Sequence, residues 1–176
     1  MSVMPDHDIA RAFHGVRASR PAGLAFRPIG DDDLPFLSAL YAATRCEELA
    51  QVPWPEEAKR TFLAEQFELQ HAYYQANSPG ADRLVVMLDG EPVGRVYVYR
   101  TPGDIRLMDI ALEESVRGRG LASAMLDELM YEARASGANI TLHVEPANPA
   151  RTWYERRGFR LIEERGVYLY MGWQPV

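Results

Sequence analysis

A chain of 176 residues with 47% hydrophobic, 10% aromatic and 25% charged side chains has the size and composition of one globular domain that builds its own core, which excludes a disordered or fibrous chain. Its net charge of −6 argues against a general nucleic-acid binder, because that role needs a basic face able to displace phosphate counterions. No apolar run is long enough to cross a bilayer, and residues 1–23 lack the apolar stretch of a signal peptide, so no membrane role is expected.

Residues 1–23 mix Asp6, Asp8, Arg11, Arg17 and Arg20 with proline and glycine, and read as a tail with at most a short helix from Asp8 to Val16. The domain is therefore expected over residues 24–176. A strand from Leu24 to Pro28 leads to Asp31, Asp32 and Asp33, which offer an N-cap and favourable first-turn charge to a helix through Ala43, with Pro35 in its first turn. Pro53, Trp54 and Pro55 separate this helix from a second, in which Phe62, Leu63, Gln66, Phe67, Gln70 and Tyr74 recur at helical spacing up to Asn77. The period then changes: Leu84–Leu88, an Asp89-Gly90 turn and Pro92–Tyr99 predict a hairpin, and Ile105–Leu112 a third strand. Strict alternation along that strand puts Ile105, Leu107 and Asp109 on one face and Arg106, Met108 and Ile110 on the other.

Further on, Leu121, Met125, Leu126, Leu129, Met130 and Ala133 form the apolar stripe of a helix that stops at Gly137. A buried strand Ile140–Val144, a short helix Pro149–Arg157 and a strand pair, Phe159–Glu164 and Val167–Trp173, complete the chain. This order predicts a mixed α/β (α+β) domain, in which the strands at 105–112 and 140–144 are the parallel pair.

The segment Glu114-Ser115-Val116-Arg117-Gly118-Arg119-Gly120-Leu121-Ala122 joins a strand end to a helix start through two glycines flanked by guanidinium groups. The first N–H groups of a helix lack internal partners and carry the positive end of its dipole, so an anion placed there accepts several hydrogen bonds. Glycine lets the backbone approach the ligand and adopt positive φ. A P-loop is excluded, since no lysine follows Lys59. A dinucleotide fingerprint is nearly met, but Ser123 stands where the third glycine belongs, and a repeated βαβ pattern is missing.

The pattern that fits, [QR]-x-x-G-x-[GA] at Arg117, Gly120 and Ala122, resembles the acyl-CoA pyrophosphate loop of the GNAT superfamily of N-acetyltransferases. The later block Asn148-Pro149-Ala150-Arg151-Thr152-Trp153-Tyr154-Glu155-Arg156-Arg157-Gly158-Phe159 is similar to the N-x-A-x-x-x-Y-x-x-x-G-F block of the same superfamily, at the matching separation. Many members carry proline where Glu114 stands, a difference that concerns the turn's shape. The resemblance implies a central, mostly antiparallel sheet of six to seven strands with one splayed parallel pair, about four flanking helices, and acetyl-CoA as co-substrate. It implies that the amides from Gly118 through Arg119, Gly120 and Leu121 to Ala122, with Arg117 and Ser123 close by, hold the CoA pyrophosphate. The backbone of Ile110 and Leu112 would pair with the pantetheine arm and Asn148 would hydrogen-bond it. Tyr154 would be the general acid for the departing thiolate, a role suited to a phenol that stays protonated at neutral pH.

The acceptor amine must lose a proton, and His143, in the strand before the second block, is the leading candidate base, with Glu145 and Asp109 behind it. The helices after the first strand would form the acceptor site, with Trp54, Phe62, Phe67, Tyr73 and Tyr74 supplying bulk. Glu47, Glu48, Glu56 and Glu57 would supply an acidic rim that attracts a protonated amine. The lone Cys46 and the lack of Cys/His pairs at ligand spacing predict no disulfide and no metal, in a reducing, cytoplasmic setting. The acceptor is expected to be a small-molecule or peptide amine, and the resemblance implies that the closing strands can pair across a two-fold axis into a homodimer. The competing classes are a non-catalytic acyl-CoA-binding or protein-interaction module, and a dinucleotide binder.

Overall fold

Seven strands and four α-helices make up the computed structural model, which describes Phe13 and residues 20–176. Apart from Phe13, the helix expected over Asp8–Val16 lies outside the described residues. In chain order the elements are β1 (Leu24–Pro28), α1 (Leu34–Ala50), α2 (Glu56–Asn77), β2 (Asp82–Leu88), β3 (Glu91–Thr101) and β4 (Asp104–Leu112). They continue with α3 (Leu121–Ser136), β5 (Asn139–Val144), α4 (Ala150–Arg156), β6 (Arg160–Arg165) and β7 (Tyr168–Trp173). Helix α1 runs on to Ala50 instead of ending at Ala43, because Leu49 packs against the small core that Leu37 and Tyr41 form with Leu63 and Phe67 of α2.

The strands make one sheet in the order β1-β2-β3-β4-β5-β7-β6, antiparallel throughout except for β4 and β5. One face carries the main core, in which Val96, Val98, Ile105, Leu107, Ile140 and Leu142 meet Met125, Leu126 and Leu129 of α3. The other face carries α1 and α2: Arg95 of β3 lies over the Tyr41 ring and donates to Gln70.

The alternation expected along β4 fails at Met108. Val98 pairs with Leu107, whereas the next residue of β3, Tyr97, pairs with Asp109, so Met108 is the extra residue of a β-bulge. Cross-strand partners share a face. Ile110, opposite Val96, therefore joins Ile105 and Leu107 on the α3 face, while Asp109, opposite Tyr97, joins Arg106 on the α1/α2 face. The same bulge ends the parallel ladder. Pairing of β4 with β5 runs from Asp104↔Asn139 to Leu107↔Leu142 and stops there. Beyond it β4 continues against β3 as far as Leu112↔Gly94, and β5 against β7 as far as Val144↔Leu169, so the two parallel strands diverge.

Two residues from the expected tail pack onto this body. Phe13 is buried in the main core and its ring stacks on Phe26 at 4.2 Å between centroids. Arg20 donates to Phe13 O and makes a bidentate pair with Glu128 of α3, Nε to Oε1 at 2.8 Å and Nη2 to Oε2 at 2.7 Å. Glu128 is 4% exposed, so its carboxylate depends on that one guanidinium. We expect Arg20→Ala to lower the unfolding free energy by about 3 kcal/mol in urea titration, since it strands a buried charge, and Glu128→Gln to cost less. A loss below about 1 kcal/mol for Arg20→Ala would show that solvent reaches the carboxylate.

Candidate active site

Where β4 ends, the chain turns sharply into α3. Glu113 N–H donates to Val93 O at 2.8 Å, and Val116 is buried beneath the turn that follows. Gly118 and Gly120 have φ of 73° and 79°, and a Cβ at either would meet no atom within 4 Å. It is the left-handed backbone, and not crowding within the chain, that requires glycine here. The first intrahelical bond of α3 is Ala124 N–H to Gly120 O at 3.0 Å. Among the described residues no main-chain acceptor takes the N–H groups from Gly118 to Ser123, and the positive end of a 16-residue helix adds to their pull on an anion. Arg119 is exposed, whereas Arg117 folds back so that its Nε donates to Leu112 O at 3.1 Å. Arg157, at the end of α4, donates to Ser123 O and pairs with Asp127, each at 3.0 Å, which fixes the first turns of α3 against α4.

Divergence of β4 and β5 opens a cavity of about 650 Å³ that connects the two faces of the sheet. Ile110, Asn148 and Tyr154 line it together with His143. Asn148 Oδ1 accepts the Ala150 N–H at 2.9 Å, so this side chain also caps the start of α4. Tyr154 is held among Trp153 and Phe159, with centroids at 4.9 Å and 5.5 Å, and its hydroxyl makes no hydrogen bond among the described residues. Burial pushes its phenol well above the usual range, and the Asp109 charge across the cleft pushes the same way, so Tyr154 stays protonated.

His143 stands on the opposite face of the sheet from Tyr154, and the cavity brings them to one space. Its ring stacks on Tyr170 at 4.9 Å, and Arg165 Nη1 lies 3.4 Å from its Nε2. The ring remains exposed to solvent, but its partial desolvation, with the Arg106 and Arg165 guanidinium groups nearby, holds the imidazole below its ordinary pKa and therefore neutral at physiological pH. Glu145 lines the cavity but is engaged by Arg45 at 3.4 Å.

The sequence does not single out Arg95, which is 3% exposed on β3, forms an ion pair with Asp109 and donates from Nη2 to Gln70 Oε1 at 2.9 Å. Its signal is one charge inside the otherwise apolar run Val93 to Val98. Tyr74 lies edge-on to Tyr97 at 5.7 Å, and its phenol is also raised, first by burial and then by Asp109. On the α1/α2 side the wall consists of Arg45, Gln70, Tyr73, Tyr74, Asn77 and Ser78. Of the aromatic residues expected there, Tyr73 and Tyr74 line the cavity, while Trp54, Phe62 and Phe67 pack elsewhere. The acidic rim is absent from this wall: Glu48 pairs with Arg45, Glu56 pairs with Lys59, and Glu47 and Glu57 do not line the cavity.

Residues 43–159 match the model of the acetyltransferase (GNAT) family. No curated protein matches the chain in sequence. Among solved structures, the PaiA N-acetyltransferase from Thermoplasma acidophilum in complex with coenzyme A is similar at 16% identity and a TM-score of 0.64, over 86% of this chain and 98% of that one. An acetyltransferase from Thermus thermophilus is similar at 20% identity and a TM-score of 0.61, over 86% and 96%. The ribosomal-protein-S18-alanine N-acetyltransferase from Escherichia coli is similar at 20% identity and a TM-score of 0.55, over 86% and 93%. At these identities the likeness is one of fold.

The surroundings of His143 are testable without any ligand. By NMR its imidazole should titrate below the ordinary value of about 6.5, and Arg165→Gln should move it upward. A wild-type value at or above about 6.5 contradicts the environment described.

Proposed function

The chain belongs to the acetyltransferase (GNAT) family, and we propose that it is an acyl-CoA-dependent N-acyltransferase, moving acetyl from acetyl-CoA to a primary amine by direct attack in a ternary complex. The observation that carries this reading is the conjunction of unpartnered amides at the start of α3 with a splayed strand pair whose gap holds Tyr154. Any helix start leaves its first N–H groups free; this one adds two left-handed glycines whose Cβ positions are open, so that six successive donors can be approached closely by an anion.

In this assignment the amides from Gly118 to Ser123 hold the pyrophosphate, with Arg119 as an added cation. Arg117 acts chiefly by fixing the loop, since its Nε is already bound to Leu112 O. Because that carbonyl is shared, Ile110 is the better placed of the two strand-end residues to pair with the pantetheine arm, and Asn148 contributes the amide that its capping bond leaves over. The thioester supplies the acyl group and a sulfur leaving group. His143, kept neutral by partial desolvation and by two neighbouring cations, takes the proton from the attacking amine. Tyr154 holds its proton until the leaving sulfur requires it, which a phenol shielded from water and faced by a carboxylate does well. Cys46 is exposed on α1 and does not line the cavity, so a cysteine acyl-enzyme has no support. We assign residues 24–176 to this catalytic domain, with Phe13 and Arg20 of the preceding segment packed onto it.

Coenzyme A at a hundredfold excess over its dissociation constant should stabilise the protein by about 2.7 kcal/mol in thermal unfolding, whereas NAD should not; the opposite pattern selects the dinucleotide reading. With an accepted amine, Tyr154→Phe should slow single-turnover acetyl transfer about 100-fold, while coenzyme A still binds. His143→Gln should remove the acidic limb of the pH–rate profile, and a retained limb moves the base elsewhere.

A further inference from the structure

We infer that the acceptor carries a carboxylate beside its amine, making it a small amino acid, and that Arg106 holds that carboxylate. This rests on the transferase reading and specifies its substrate. The charged groups that line the cavity are Arg45, Arg106, Asp109 and Glu145. Arg45 is paired with Glu48 and Glu145, and Asp109 with Arg95. Arg106 alone among these four has no carboxylate partner among the described residues. Its Nε is enclosed by protein with no hydrogen-bond acceptor, and its guanidinium lies over the Tyr170 ring at 5.9 Å. A half-desolvated cation without a counter-charge is costly in a cavity wall, and a ligand anion would supply what the chain withholds.

Position on the strands says where that anion would sit. Arg106 pairs with Thr141, one step before the ladder ends at Leu107↔Leu142. His143 lies two residues beyond Thr141 on the same face, roughly 7 Å along the strand. Through the bulge at Met108, Asp109 is also on that face. A carboxylate on Arg106 at the closed end of the cleft therefore leaves an α-amino group pointing along the strands, toward His143 and the open end. A forked guanidinium matches a carboxylate in a way that a point charge does not. The four wall charges sum to zero, but Asp109 is held by Arg95 and Glu145 by Arg45, so neither carboxylate is free to receive a cation. The Arg106 guanidinium is free to receive an anion, which disfavours polyamines and other acceptors that bring only cations.

The test is acetyl-CoA-dependent thiol release with matched acceptors that differ only in the carboxylate: tyrosine and tyramine, histidine and histamine, arginine and agmatine, with the amino-acid amides and short peptides as a third arm. For the pair that fits the cavity, the amino acid should exceed its decarboxylated amine at least about tenfold in kcat/KM, the contribution expected of a charged hydrogen bond. Arg106→Gln should bring that ratio toward one, and Arg106→Lys should restore part of it. The N-acetylated amino acid, titrated calorimetrically in the presence of coenzyme A, should lose a similar factor in affinity on Arg106→Gln. Wild-type preference for bare amines, amides or peptides overturns the inference, as does an equal loss by both members of a pair in Arg106→Gln. The wild-type ratios and Arg106→Lys decide the matter even if the glutamine variant fails to fold. If coenzyme A shifts the thermal transition and bare amines are acetylated best, only this inference falls; if coenzyme A has no effect and no amine is acetylated, the transferase reading falls with it.

Discussion

One interruption in the sheet organises the rest: β4 and β5 are hydrogen-bonded up to Leu107 and Leu142 and then part. A sheet that closed along its full length would present two solid faces, with Tyr154 sealed on one side and His143 on the other. The extra residue at Met108 prevents this, because a bulge bends its strand and increases the local twist. The exposed edge of β4 is then a row of backbone groups awaiting an extended partner, a feature that native sheets normally cover. Here the gap is flanked by the first turn of α3 at one end and by α1 and α2 on one face, so the bent strand both makes the opening and aims it. Gly94 supports the arrangement from behind, since a Cβ there would lie 2.3 Å from Ala111 O and force β3 away from the bent strand.

The same bulge decides which charges share a face. By moving Asp109 onto the α1/α2 side it brings this carboxylate to Arg95, which otherwise would be an isolated cation in an apolar strand. A buried ion pair of this kind adds little to stability compared with apolar packing, so its presence needs another reason. Its effect on the surroundings is one: Asp109 raises the phenols of both Tyr74 and Tyr154 after burial has already done so. Arg95, by neutralising part of that charge, limits how far the carboxylate would favour a bound ammonium. The pair thus helps keep Tyr154, the proposed proton donor, protonated without turning the cavity into a cation trap.

Much of this was legible in the chain, and what was not has a common cause. Strand and helix order followed from period and punctuation, and the two motif blocks marked the loop before α3 and the start of α4 because each depends on local chemistry: two left-handed glycines, a capping asparagine, a tyrosine at fixed helical spacing. Helix α1 outruns its expected end at Ala43 because Leu49, which extends it, is read only against α2. Nothing in Leu107-Met108-Asp109 announces a bulge, since any residue can be the extra one, and one unmarked residue reverses the facing of all that follow. The acidic rim failed for a related reason. Nearness in sequence placed those glutamates on the right helices, but only packing shows that the wall is made by Arg45 of α1 and the far end of α2.

The charge of the molecule and the charge of its cavity therefore point in different directions. A net charge of −6 raises the local concentration of cations around the whole surface, over distances set by the ionic strength. Inside the splay that field matters less than the immediate partners of each group, because the low-dielectric wall strengthens short contacts and the internal ion pairs cancel one another. The wall charges sum to zero, yet one guanidinium, that of Arg106, has no ion-pair partner among the described residues; it lies on the side of the sheet opposite the proposed acid and beside the proposed base. An overall acidic protein can draw an amine toward it and still choose, at the last few ångströms, the amine that arrives with an anion of its own.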